Sequence, residues 1–346
     1  MGRDFLRPGG PYKVRRTGRD EFTMSVSMPT DELGMTAREC PEPGCAPGYF
    51  KIKFGTGVAE PGYERCYCPY CRREGEQGDF HTAAQQSYME SVVLGETRTG
   101  VERMMKAALG LDSRGRRRMG GGMFSIEMSM KSSPRLPVVI PYEEELRRDV
   151  ICPHCTLAHA VFGLAVWCAD CGKDIFLTHV AAELDVVRKV LGEVAGRRER
   201  LGPRVAARDV ENALEDTVSI FEAVMKFTYR RKLIETQEAQ EVDTKLFRLR
   251  NAFQNPVRAS EIVRGEIGVD LFAPVGREGE EAMTTTFQKR HAITHNLGVV
   301  DRKYLEHGSV TSGLGREVPV TGEEVGRTVD LVEQVLTALY MRTFTA

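Results

Sequence analysis

The stretch Lys289-Arg290-His291-Ala292-Ile293-Thr294-His295-Asn296 is dense in groups that move protons or hold negative charge near neutral pH. A histidine with an ordinary pKa of ~6.5 serves as acid or base there. An arginine beside it stays charged and presents a planar fork of donors to a phosphate or carboxylate. His291 and His295 stand at i and i+4, the spacing of a helical metal pair. The metalloprotease H-E-x-x-H pattern, however, needs Glu where this chain has Ala292, and no third ligand lies close in sequence. Two other readings stay open on the residues alone: a structural one, in which Arg290 meets a core-edge carboxylate and the histidines cap or fill, and acid–base chemistry at a phosphate, which requires no metal.

The second set of chemistry-bearing residues is the cysteines, at positions 40, 45, 66, 68, 71, 152, 155, 168 and 171. The N-terminal stretch MGRDFLRPGGPYKVRRTGRD is basic and lacks an apolar core, so no secretory signal is expected. Paired C-x2-C units then argue for zinc in a reducing compartment rather than for disulfides. Cys40-x4-Cys45, a strand-like YFKIKFG and Cys68-x2-Cys71 predict one zinc ribbon, with Phe50, Ile52 and Phe54 on one face and Lys51 and Lys53 on the other. Cys66 competes with Cys68 for the third place, and the Cys-Pro-x-Cys turn favours Cys68. Cys152-x2-Cys155, twelve residues and Cys168-x2-Cys171 predict a second ribbon, with two short strands about Gly163 between the pairs. His154 and His159 are surplus to four thiolates. The expected cofactors are two structural zinc ions.

The elements that must position these residues change in kind along the chain. Residues 1–38 show no sustained period and predict a flexible basic tail. Residues 39–148 hold the first ribbon, a helix over 82–110, a Gly-rich basic loop and strands at 124–130 and in LPVVIPY. Arg114, Arg116, Arg117 and Arg118 make that loop the strongest local positive patch. A solvated loop and a phosphate contact are both open readings of it. Residues 149–176 hold the second ribbon. Residues 177–346 read as helices at about 179–200, 204–233, 243–254, 258–266, 280–297 and 322–343, a bundle of four to five main helices. The predicted fold class is α+β: a β-rich zinc-ribbon half and an all-α half.

On helix 280–297, Met283 and Phe287 define the inward face. Arg290, His291 and Thr294 fall on or near it, and His295 lies on its flank. Charge on an apolar face demands a partner or a function.

Arg290-His291-x-x-x-His295, late in a helical domain of this length, resembles the R-(N/H/D)-x-x-x-H motif of the HEPN superfamily. The resemblance covers about residues 180–346. It implies a metal-independent endoribonuclease of toxin or antiviral-defence type. Two subunits would pair so that both motifs line one cleft. Arg290 and His295 would be the catalytic pair, and His291 would orient or bind phosphate. Glu222 is a weaker candidate for a facing acid; its i+4 neighbour Lys226 makes an ordinary helix ion pair the plainer alternative. The implied partners are an RNA substrate, a second copy and an antitoxin or regulatory protein. Some members of the family act only as binding modules, so a zinc-ribbon adaptor for nucleic acid or protein is the alternative.

Composition sets the outer bounds. The formal net charge is −1, with 41% hydrophobic and 28% charged residues, which gives no global pull toward nucleic acid. No apolar run of ~18 residues exists, so no membrane span and a cytoplasmic location are expected.

Overall fold

The computed structural model describes residues 10–18, 21–57, 65–112, 114–120, 125–131, 148–296, 298–300, 305 and 313–344; of 295 and 296 it describes the backbone alone. The predicted strand LPVVIPY and residue 124 lie outside the described residues. The chain divides into two compact units, Met1–Asp174 and Ile175–Ala346. The first is β-rich and the second is helical.

The first described element is a hairpin rather than the flexible tail expected over 1–38; residues 1–9 of that stretch lie outside the described residues. Strands β1 (Tyr12–Arg16) and β2 (Phe22–Val26) pair antiparallel, Tyr12 opposite Val26. Tyr12, at 7% exposure, packs with Tyr88 and Val92 of helix α1 (Ala83–Ala108), which is why an otherwise polar segment is held. Tyr12 also donates its hydroxyl to Glu96 at 2.8 Å. A capping box starts α1: Thr82 Oγ1 accepts from the Gln85 N–H and the Gln85 side chain accepts from the Thr82 N–H, both at 3.1 Å.

Strands β3 (Met35–Glu39), β4 (Tyr49–Lys53), β9 (Arg148–Ile151) and β10 (Ala158–Val161) form one antiparallel sheet in the order β3-β4-β10-β9. Two expectations change here. The predicted ribbons are not separate modules, because β4 of the first pairs with β10 of the second. In addition, β10 is the one strand between the second pair of cysteine turns; Trp167 makes only an isolated bridge with Asp174. Flanked on both edges, β4 buries Phe50, Lys51 and Ile52, whereas Phe54 lies beyond the strand at 52% exposure. The assignment of Lys51 to an outer face is therefore corrected. Its ammonium meets Asp31 at 3.2 Å, as a buried charge must. Short strands β5 (Arg65–Tyr67) and β6 (Glu74–Glu76) flank the Cys68–Cys71 turn.

The predicted basic loop is also corrected. Arg116–Met119 is strand β7, paired with β8 (Ile126–Ser129), so Arg117 faces Met128 and Arg118 faces Glu127 across the ladder.

The second unit holds α2 (Phe176–Leu201), α3 (Pro203–Leu233), α4 (Ala239–Leu249), α5 (Pro256–Glu266), α6 (Gly276–Asn296) and α7 (Gly322–Phe344). Gly202, at φ 92°, ends α2, and Pro203 starts α3 without losing a hydrogen bond. Helices α2, α3 and α7 pack on one another, and α6 packs on α3, α5 and α7. Their apolar stripes meet in one core: Leu184, Leu214, Phe221, Met225, Val329, Val332 and Leu336 are at 1% exposure or less. The helix predicted over 243–254 ends at Leu249. Arg250 takes φ 48°, and a 3-10 turn over Ala252–Gln254 follows.

Candidate functional site

Two sets of four thiols come together in the first unit. Cys40 follows β3, and the turn to Cys45 is closed by Gly48 at φ 68°, where a Cβ would meet the Cys45 carbonyl at 2.8 Å. Cys68 and Cys71 sit on the turn between β5 and β6. The Sγ atoms of Cys40 and Cys71 are 3.6 Å apart, as are those of Cys45 and Cys68. In the second set, Cys152–Cys171 and Cys155–Cys168 stand at 3.8 and 3.5 Å. Within each set all ligand atoms lie within 4.8 Å of one another. Four sulfurs at ~2.3 Å from a tetrahedral zinc would stand roughly 3.8 Å apart, so both sets fit such an ion and are far from disulfide contact. The N–H groups of Tyr70, His154 and Asp170 each point at the sulfur two residues earlier, at 3.4 Å, and that of Glu42 does so at 3.5 Å.

The electrostatics call for a cation. Burial pushes the Cys45 and Cys155 thiols up to about 12, and Cys68 and Cys168 are raised for the same reason. Cys71 and Cys152 move the other way: burial raises each, but the Arg73 N–H at Cys71, the His154 N–H at Cys152 and neighbouring thiols outweigh it. Four thiolates therefore coexist in so small a volume only around a positive ion. Cys66 belongs to neither set. It is 1% exposed, and burial raises its thiol to about 12. These are the two four-cysteine groups among the described residues that are positioned to bind metal.

The second turn of each set is built on the same plan, and the two turns face each other. The Tyr67 N–H donates to the Ala169 carbonyl at 2.9 Å, and the Trp167 N–H donates to the Pro69 carbonyl at 3.0 Å. Tyr67 packs its ring against Gly172, where a Cβ would come within 3.0 Å of it, and Arg72 lies 4.4 Å over the Trp167 ring. Each turn thus grips the other through the residue before its first cysteine. The cysteine spacing carried no sign of this reciprocity. The aromatic residue ahead of each C-x2-C turn, Tyr67 and Trp167, is the signal that the sequence offered.

In the second unit, α6 buries Met283, Thr286, Phe287 and Ile293, and Phe287 meets Phe221 of α3 edge-on at 5.3 Å. Arg290 is half-buried at the edge of this face. Its Nη2 donates to Gln254 Oε1 at 3.2 Å, and Gln254 Nε2 donates to Glu222 at 2.7 Å. Glu222 also holds Lys226 at 2.6 Å, the expected i+4 pair. Gln254 is a residue that the sequence alone did not single out; a lone glutamine in a turn gives no signal. His291 is half-buried. Thr294, expected near the inward face, is exposed and donates to Glu215 at 2.5 Å. His295 has a helical backbone, and its side chain lies outside the described residues. Ala292 turns to a small cluster with Val300 and Val318.

Arg114, Arg116, Arg117 and Arg118 are split in role. Arg117 folds back to the Leu109 carbonyl at 2.9 Å and Arg118 reaches Ser125 at 3.4 Å. The Arg114 and Arg116 N–H groups donate to Asp112 at 2.9 and 2.8 Å, and no guanidinium of the four forms an ion pair with a carboxylate among the described residues. No described helix is long and apolar enough to cross a membrane. Comparison with protein-family models, with curated proteins and with solved structures finds no match.

Proposed function

We propose that the helical unit is an HEPN-like endoribonuclease acting through Arg290 and His295, with His291 orienting the phosphate, and that two zinc-bearing four-cysteine sites shape a recognition unit. The observation that supports this reading most is the state of Arg290. It is half-buried, yet it donates to the neutral amide of Gln254, which stands between it and Glu222. A guanidinium positioned by an amide keeps its full charge for a phosphate, whereas one paired with a carboxylate would be neutralised.

In this reading His295 takes the proton from a ribose 2′-hydroxyl, and the freed oxygen attacks the adjacent phosphorus. Arg290 and His291 hold the charge that develops on the phosphoryl oxygens. The 5′-oxygen leaves with a proton from the second motif of a paired copy, giving a 2′,3′-cyclic phosphate and a 5′-hydroxyl. The zinc ions fix the recognition unit and take no part in these steps. A toxin or defence role, a homodimer and a regulatory or antitoxin partner follow from the same resemblance. The test is a short incubation of purified protein with total RNA in the presence of EDTA, beside His295→Ala. Cleavage lost in the variant supports the proposal; equal cleavage by both proteins refutes it.

One observation favours a second reading. The four guanidinium groups of the β7 region form no ion pair with a carboxylate among the described residues, as in a phosphate-binding surface on a non-catalytic adaptor. That reading expects RNA binding that survives Arg290→Ala and His295→Ala and is lost on neutralising Arg116, Arg117 and Arg118.

A further inference from the structure

Among the described residues of the helical unit the most exposed aromatic side chain is Phe247, at 83% exposure on the last turn of α4. An amphipathic helix has no structural need for it there. Val242 is buried and Lys245, Leu246 and Leu249 are half-buried, so the inward face is already complete without Phe247. Asp243, Thr244, Phe247 and Arg248 share the outward face by their spacing, and all four are exposed; Arg250 and Asn251 follow beyond the end of the helix and are exposed as well. Other cations near α4 are engaged: Arg230 holds Asp243 at 2.7 Å and Lys245 bonds Gln237 at 2.8 Å. Arg248 and Arg250 have no carboxylate partner among the described residues. Seven residues after Phe247 the chain reaches Gln254, the residue that holds Arg290. Even fully extended, that stretch spans at most about 25 Å.

We infer that Phe247 is a stacking platform for a base of single-stranded RNA, with Arg248 and Arg250 holding the flanking phosphates. The inference rests on the reading of Arg290 as an RNA-cleaving residue only for the choice of RNA as ligand. A lone aromatic ring among cations and hydrogen-bonding side chains suits a base, whose face needs one ring and whose backbone needs positive charge. A protein partner would need contiguous apolar area, and this face offers Asp243, already paired with Arg230, Thr244 and Arg248 beside the ring. A second copy laid on the same face would bring Arg248 and Arg250 against their own counterparts. Arg248 also offsets the negative end of the α4 dipole, which would otherwise repel a phosphate.

The experiment measures binding of a fluorescein-labelled single-stranded RNA of about twelve nucleotides, within the range of known single-strand sites. Full-length His295→Ala protein is used throughout, so that the probe stays intact. Adding Phe247→Ala is expected to weaken binding by about 5- to 150-fold, and Phe247→Trp to restore it. Adding Arg248→Gln with Arg250→Gln is expected to lower the slope of log K against log salt by about 1.4, two phosphates' worth. A duplex of the same length is expected to respond weakly to Phe247→Ala. Because Phe247 is exposed, an unchanged melting temperature of each variant serves as the control for folding. Equal affinity for Phe247→Ala and its parent overturns the inference. So does a change of oligomeric state in sedimentation with RNA affinity unaltered, which would make Phe247 a contact between copies. Wild-type protein that cleaves no RNA, together with Phe247-dependent binding, leaves the platform standing and removes the nuclease reading.

Discussion

Breaking one metal site should weaken the other, and the interlocked turns set the size of the effect. Cys168→Ser removes a ligand from the second four-cysteine set. A structural zinc site contributes ~10–16 kcal/mol, comparable to a whole domain's stability, so the turn around Cys168–Cys171 should lose its shape. Three backbone bonds join it to the first set: Tyr67 N to Ala169 O, Val166 N to Pro69 O and Trp167 N to Pro69 O, at 2.9, 2.8 and 3.0 Å. At about 1 kcal/mol each, their loss removes roughly 3 kcal/mol from the folded form of the first site, and ~1.4 kcal/mol is a factor of ten. With zinc as the proposed ion, the first site should then give up its metal at a chelator concentration on the order of 100-fold lower. The assay is zinc release to a colorimetric chelator, with Trp167 fluorescence reporting on the second turn. A first-site midpoint unchanged in a variant that has lost the second metal would refute the coupling.

Other consequences are as specific. Asp31→Asn should destabilise the first unit by about 3–5 kcal/mol, because it leaves Lys51 buried at 2% side-chain exposure without its carboxylate. Burial raises the Asp31 carboxyl, but the N–H groups of Met35 and Leu33 and the Lys51 ammonium more than reverse it, so its folded pKa is below the ordinary value. The stability difference from Asp31→Asn should therefore be full above pH ~4 and vanish as pH falls through that depressed pKa, as read from melting curves across pH. Phe221→Ala opens the core against Phe287 and should cost about 3–5 kcal/mol in the helical unit, with zinc content unchanged by metal analysis. Gln254→Ala should lower the RNA-cleavage rate while changing stability by no more than about 1.5 kcal/mol, measured by denaturant titration.

The helices were the most legible part of the sequence. Apolar steps of three and four are dictated by a helix with one buried side, so the spacing of Val210, Leu214, Val218 and Phe221 alone marks α3. The cysteine sets were legible for a similar reason, because C-x2-C turns leave few ways to chelate. What could not be read was long-range pairing. Nothing local in YFKIKFG says that β4 has neighbours on both edges, and that is what buries Lys51 and removes the expected alternation. The N-terminal hairpin was missed because its one buried anchor, Tyr12, finds its partners in α1, far along the chain. Gln254 was missed because its meaning comes only from lying between Arg290 and Glu222. The split of the Arg114–Arg118 patch was hidden because a run of arginines carries no alternation to betray a strand.

RNA cleavage by Arg290 and His295 is the activity we propose for the helical unit. Single-turnover cleavage of an end-labelled RNA in EDTA, with the product ends analysed, tests it most directly. Removing a positioned acid–base group costs typically about 10²- to 10⁴-fold, and removing a charge-stabilising donor costs about 10²- to 10³-fold. Losses of that size in His295→Ala and Arg290→Ala, with cyclic-phosphate ends from the wild type, are the expected result. Wild-type and variant rates that coincide would contradict the account.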